Sequence, residues 1–189
     1  MRTGVSRSYI YSSDQLADRV VSYGKLAVSS VGSSEIISNC ISTVHLSPVI
    51  KSSRAKAYRS TDQSYSAATD TKVQFDTKVF DPYSDYDNTT NYRYTVHSGF
   101  DGQYVVHAQL KIAGRSAAGY IIAKIFKNGS QVTEHIRPYA GDSQNFKFDA
   151  LSVLDLVAGD YIEVYVYDTQ AGTIKGGSGL SYFEIYRLP

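Results

Sequence analysis

Between Ser12 and Ile50 large aliphatic residues return at a fixed interval, and a single chain has no way to close a core on that interval. Written in tens, the stretch reads SSDQLADRVV, SYGKLAVSSV, GSSEIISNCI and STVHLSPVI. Leu16, Leu26, Ile36 and Leu46 take the fifth place of each line, while Val21, Val31, Ile41 and Ile50 fall near the tenth. A spacing near five matches neither the 3.6-residue period of a helix nor the alternation of a strand. Residues 22–50 hold two formal charges, Lys25 and Glu35, with Ser, Gly and Thr filling much of the space between the aliphatics. Several copies wound about one axis would bury those aliphatics in layers, and the small residues would allow close approach and turns. A flexible Ser-rich linker is the competing reading, but linkers do not hold a period. Asp14–Val21 is also compatible with a short helix.

The units Lys25-Leu26-Ala27 and Glu35-Ile36-Ile37 carry a resemblance to the pseudo-repeats in bacteriophage fibre stalks. The resemblance implies a homotrimeric stalk over residues 12–54. Its core would be Leu16, Val21, Leu26, Val31, Ile36, Ile41 and Leu46. Residues 1–11, with Arg2 and Arg7, are too short to fold alone and are expected to dock on a larger body. In a virion that body would be a capsid, collar or tail protein.

After Arg54 the chain changes character. All seven Phe and fourteen of the seventeen Tyr lie beyond this point, and the stretch between Tyr23 and Tyr58 has no aromatic residue. Tyr104, Val106, Ala108 and Leu110 alternate with polar or smaller partners, which predicts a half-buried strand. Lys127-Asn128-Gly129-Ser130 predicts a tight hairpin, and Ala158-Gly159-Asp160 a turn that launches Tyr161–Tyr167. Gly176-Gly177-Ser178-Gly179 reads as a loop before a last strand at Tyr182–Leu188. Short strands separated by turns predict an all-β sandwich. Tyr58, Tyr104, Tyr161, Tyr165 and Tyr167 are expected to pack in the core or between subunits.

The order Val73-Gln74-Phe75-Asp76-Thr77, Asn91-Tyr92-Arg93-Tyr94, Gly102-Gln103-Tyr104-Val105-Val106 resembles the C1q family. Lys127-Asn128-Gly129, Leu156–Tyr161 and the terminal Tyr182-Phe183 follow in the same order. The resemblance implies a C1q/tumour necrosis factor jelly-roll head over residues 55–189, ten-stranded and homotrimeric. No Gly-X-Y collagen segment precedes it; the aliphatic repeat stands in that place. Stalk and head thus imply the same threefold assembly.

Composition and motifs narrow the function. The net charge of +1 gives no general attraction to nucleic acid or an anionic membrane. No apolar run reaches the roughly 18 residues of a membrane span, and no apolar region follows the basic start, so no signal peptide is expected. The single cysteine, Cys40, excludes an intramolecular disulfide framework, and reads as a small buried hydrophobe. His45, His97, His107 and His135 lack ligand spacing, with His107 expected to face away from Tyr104 and Val106. No Gly-x-Ser-x-Gly elbow, phosphate loop or His-Glu-x-x-His is present. The chain reads as a non-enzyme.

The candidate recognition site is the run Asp81–Tyr92, in which Tyr83, Asp85, Tyr86, Asp87, Asn88 and Tyr92 mix carboxylates, amides and tyrosines. That mixture suits sugar contacts, and the carboxylates make Ca²⁺ a weaker candidate, without EF-hand spacing. A plain solvated loop is the simpler explanation of the composition. Arg137–Asp142 is a second exposed-loop candidate. These readings combine into a virion protein, a short trimeric fibre or spike that binds a host surface glycan or protein. The alternative is a bacterial surface or exosporium C1q-like adhesin.

Overall fold

The computed structural model describes residues 53–140 and 145–189. The expectations for the anchor, for the stalk core from Leu16 to Leu46, for Cys40 and for His45 lie outside the described residues, as do Gly141 and Asp142. The chain divides into two units, Met1–His45 and Leu46–Pro189, and every described residue belongs to the second.

The described residues form strands and turns with no helix. The first sheet is built on β7 (Gly102–Ala113), a twelve-residue strand. One edge of β7 pairs along its length with β10 (Phe146–Leu156). The other edge is shared by β13 (Tyr182–Arg187) and β12 (Gly172–Ile174). β13 continues to β1 (Arg54–Tyr58) and then β4 (Thr77–Phe80), while β12 pairs with β2 (Gln63–Tyr65). The second sheet runs β5 (Tyr86–Asp87), β6 (Arg93–Thr95), β11 (Tyr161–Asp168), β8 (Ala118–Lys127), β9 (Ser130–Ala140), with β3 (Thr71–Lys72) beside β11. Every pairing is antiparallel.

Alternation decides which face is core. On β7, Tyr104, Val106, Ala108, Leu110 and Ile112 are buried, and His107 sits on the opposite face, as the pattern predicts. Ile121, Ala123 and Ile125 of β8 and Ile162, Val164 and Val166 of β11 meet them from the second sheet. Each such large aliphatic side chain contributes about 1.5–3 kcal/mol on burial. Ala55 and Ala57 of β1 are buried in the same core, where the rings of Phe75 and Tyr86 stand 6.1 and 5.5 Å from that of Phe183. The β8–β9 hairpin turns through Asn128 (φ 53°) and Gly129 (φ 77°), the left-handed pair that a two-residue turn requires.

Thirteen strands appear among the described residues where ten are implied by the family resemblance, because several are two- or three-residue pairings. The second loop expectation fails over its described residues. Arg137-Pro138-Tyr139-Ala140 is strand, not loop: it ends β9, the edge of its sheet, where proline leaves no ladder partner unmet. Tyr139 is buried there and donates to Asp168 Oδ1.

Candidate functional site

The run Asp81–Tyr92 is held by its own carboxylates. Asp81 accepts the backbone amides of Asp85 at 2.9 Å and Tyr86 at 3.1 Å, and pairs with Lys78 at 2.8 Å. Asp87 accepts the amides of Thr90 and Thr89 at 3.0 Å and of Asn91 at 3.1 Å, plus the Asn91 carboxamide. These donors, led by Thr90 and Thr89, hold the Asp87 carboxyl well below the usual carboxylate range. Asn88 donates to the Asp76 carbonyl at 2.7 Å. Ser84 and Tyr92 take left-handed backbone angles at the two bends. The carboxylates therefore shape the loop, and among the described residues no three acidic, His or Cys side chains gather as metal ligands.

Tyr86 departs from the expectation of a ligand-facing ring. It is 2% exposed, pairs across the ladder with Tyr94, and packs on Phe183. Burial pushes its hydroxyl above the usual range. Tyr83 lies against Phe100 (4.8 Å) and His97 (5.6 Å), and Tyr92 is half-buried at a bend.

What the fold does assemble is a groove of about 480 Å³. Asp85, Asp87 and Asn91 come from the run, and Arg93, Thr95, His97 and Ser98 from β6 and the segment after it. Tyr94 points into the core, so its neighbours Arg93 and Thr95 project outward. Asp85 is the groove's buried acid: its side chain is 5% exposed and accepts from His97 Nδ1 at 3.1 Å. Its Oδ2 is buried without a hydrogen-bond partner among the described residues. Burial holds the Asp85 carboxyl above its usual range, against the opposing pull of His97. The groove thus carries hydroxyls, a carboxamide, a guanidinium and an imidazole around one carboxyl, a lining suited to a polyhydroxylated ligand. Sequence reasoning found the acids and missed Arg93, Thr95, His97 and Ser98. The outward alternation around Tyr94 was the available signal.

A second feature lies at the other side of the sandwich. β9 and β10 are the edge strands of their sheets and run side by side, with Thr133 donating to Ser152 at 2.8 Å. The exposed Ile136 of β9 lies on the outward face of the second sheet opposite Ile122, while Leu151 (60% exposed) and Val153 (57%) form an apolar strip on the outward face of β10, opposite His107 and Val105 of β7. Beside it, Val105, Leu151 and Tyr186 line an apolar hollow of about 510 Å³ with His107, His135, Asp149 and Glu184. His107 Nε2 stands 3.6 Å from Asp149 and Nδ1 3.9 Å from Glu184, which also pairs with Lys56.

No family model matches this chain, and no curated protein matches it. Its structure is similar to that of the tumour necrosis factor Eiger from S. frugiperda (TM-score 0.56, 15% identity, 72% of this chain and 92% of that one). It is also similar to murine APRIL (0.55, 16%, 73% and 100%) and to the globular domain of zebrafish complement 1qA protein (0.50, 14%, 72% and 97%). At such identities the likeness shows the fold, a two-sheet jelly roll of the tumour necrosis factor and C1q kind.

Proposed function

We propose that this chain is a virion structural protein of a bacteriophage, a short homotrimeric fibre or spike whose head binds the host surface without catalysis. The observation that carries the trimeric head is the apolar strip on β10 and the hollow beside it. Exposed aliphatics on a long edge strand mark a contact surface, and Leu151 and Val153, with Val105 and Tyr186 lining the hollow beside them, supply one. A second copy covering this strip fits the threefold assembly implied by the C1q/tumour necrosis factor resemblance. The stalk reading rests on the ten-residue aliphatic period from Leu16 to Leu46. Together they support three grooves presented on one shaft, so that weak single contacts combine through effective concentration.

Light scattering of the full chain tests the assembly: a trimer is expected, and a stable monomer at micromolar concentration overturns it. Antibody to the head tests the location. Labelling of phage particles in negative stain supports the virion role, and labelling confined to uninfected bacterial cells replaces it with the adhesin reading.

A further inference from the structure

The groove does not end at Arg93. Its guanidinium lies 4.2 Å from the centre of the Tyr161 ring, and Tyr161 begins a row of aromatic side chains on the outward face of the second sheet. Tyr161, Tyr165 and Tyr167 take three of the four outward positions of β11, Glu163 the other. The core needs none of them, since Ile162, Val164 and Val166 fill it from the opposite face. β8 adds Phe126, 4.5 Å from Tyr165, and Tyr120, stacked on Tyr167 at 6.2 Å and 23°. A face meant only for water would carry Thr, Lys and Glu at these places. Beside Tyr165 and Tyr167 the charges are matched, Lys72 with Glu163 at 2.6 Å and Lys124 with Asp70 at 2.7 Å, while Arg93 at the groove end stacks on Tyr161.

We infer that this face is a binding platform for an extended, uncharged glycan chain, continuing from the groove through Arg93 onto Tyr161, Tyr165 and Tyr167. The inference rests on the recognition role proposed for the groove and names its ligand class. A sugar ring presents one C–H face that stacks on an aromatic ring, while its rim hydroxyls need donors and acceptors nearby. The platform offers both, because tyrosine hydroxyls and the paired Lys72–Glu163 and Lys124–Asp70 groups border the rings. Matched charge beside Tyr165 and Tyr167 selects against a polyanion, which would need more cations along its path than the one guanidinium of Arg93. Outward residues along β11 repeat every roughly 6–7 Å, so a chain of several sugars would cross more than one ring. The rings lie on the outward face of the second sheet and Leu151 and Val153 on that of the first, so a copy seated on Leu151 and Val153 leaves the rings open.

The test uses the full chain and neutral cello-, chito-, xylo- and manno-oligosaccharides of two and six residues. The sequence has no Trp and 17 Tyr, so tyrosine fluorescence follows binding, the ring variants assign the change to the platform, and calorimetry runs alongside. At least one hexasaccharide is expected to bind about tenfold tighter than its own disaccharide. Tyr161→Ala and Tyr165→Ala should each remove that gain and leave disaccharide binding intact, whereas Tyr165→Phe should keep it. His97→Ala should weaken both lengths alike. Equal affinity for the two lengths, silent ring variants, or binding confined to anionic polymers and lost with added salt would overturn the platform. Length-dependent binding that survives His97→Ala unchanged keeps the platform and overturns only the groove's part. A panel without any bound sugar sinks the inference while leaving the trimeric spike to be judged by light scattering and microscopy.

Discussion

The Tyr65 hydroxyl donates to Asp168 Oδ2 at 2.7 Å, a bond that spans 103 residues and ties the first sheet to the second. The same carboxylate accepts from Tyr139 at 2.5 Å and from the Gln170 amide at 3.0 Å, with Arg115 at 3.5 Å. Asp168 is fully buried. Burial comes first among the causes that raise the Tyr65 and Tyr139 hydroxyls above their usual range, and the bond to Asp168 comes next. Asp168→Ala strips two buried hydroxyls and the part-buried Gln170 amide of their acceptor and removes the carboxylate facing Arg115. The expected loss is about 3–5 kcal/mol, read as a fall in the urea midpoint with the slope unchanged.

Phe183 anchors the aromatic centre of the core between Phe75 and Tyr86. Phe183→Ala should cost about 3–5 kcal/mol through lost transfer energy and the cavity left behind. Phe183→Leu should cost less than half of that, and thermal unfolding of the two variants measures the difference.

Acid should weaken the head in a defined window. The Asp160 carboxyl sits at about 2: partial burial works to raise it, but Lys127, the Val157 amide and Asn128 outweigh that. Asp87 is depressed in the same direction by its amide donors. Both groups hold their charge in the folded chain at a pH where the unfolded chain, near 3.9, takes up protons. Their stabilisation is present above about pH 4 and is lost as pH falls toward 2. Asp160→Asn should flatten that part of the stability curve, measured by denaturant titration across the window. Asp85 has the opposite sign, since its carboxyl is raised. Asp85→Asn should therefore gain stability relative to wild type at neutral pH.

The edge strip predicts an assembly phenotype separable from folding. Leu151→Asp with Val153→Asp changes two outward residues of β10 that are more than half exposed, so strand content by circular dichroism should persist. The thermal midpoint of the head should fall and lose its dependence on protein concentration. In the stalk, Leu26→Asp with Ile36→Asp should lower the trimer fraction by light scattering while leaving the head's strand signal.

The parts of the fold that could be read from the sequence are those where local pattern and tertiary role coincide. β7 alternates cleanly because one face is core along its length, and Asn128-Gly129 makes the turn its backbone angles favour. Arg137–Ala140 misled because Pro138 and the following Gly141 look like a loop, and an edge strand tolerates proline. Tyr86 misled for a different reason. Its neighbours Asp85 and Asp87 are polar, but pairing with Tyr94 turns the ring inward, and that pairing joins residues eight apart through a bent loop. The groove shares this origin: its acids come from one run, while Arg93 and His97 arrive from the next strand and the turn beyond it. Composition marks the run but carries no record of what folds beside it.

The carboxylates of Asp81 and Asp87 bind backbone amides rather than anything outside the molecule. The loop's course is consequently written in main-chain bonds from two anchors, and the exposed residues 89–91 are held through their amides. Such a tip can acquire new chemistry at residues 89–91 without the sandwich below having to be rebuilt, a division of labour between a fixed frame and a replaceable contact surface.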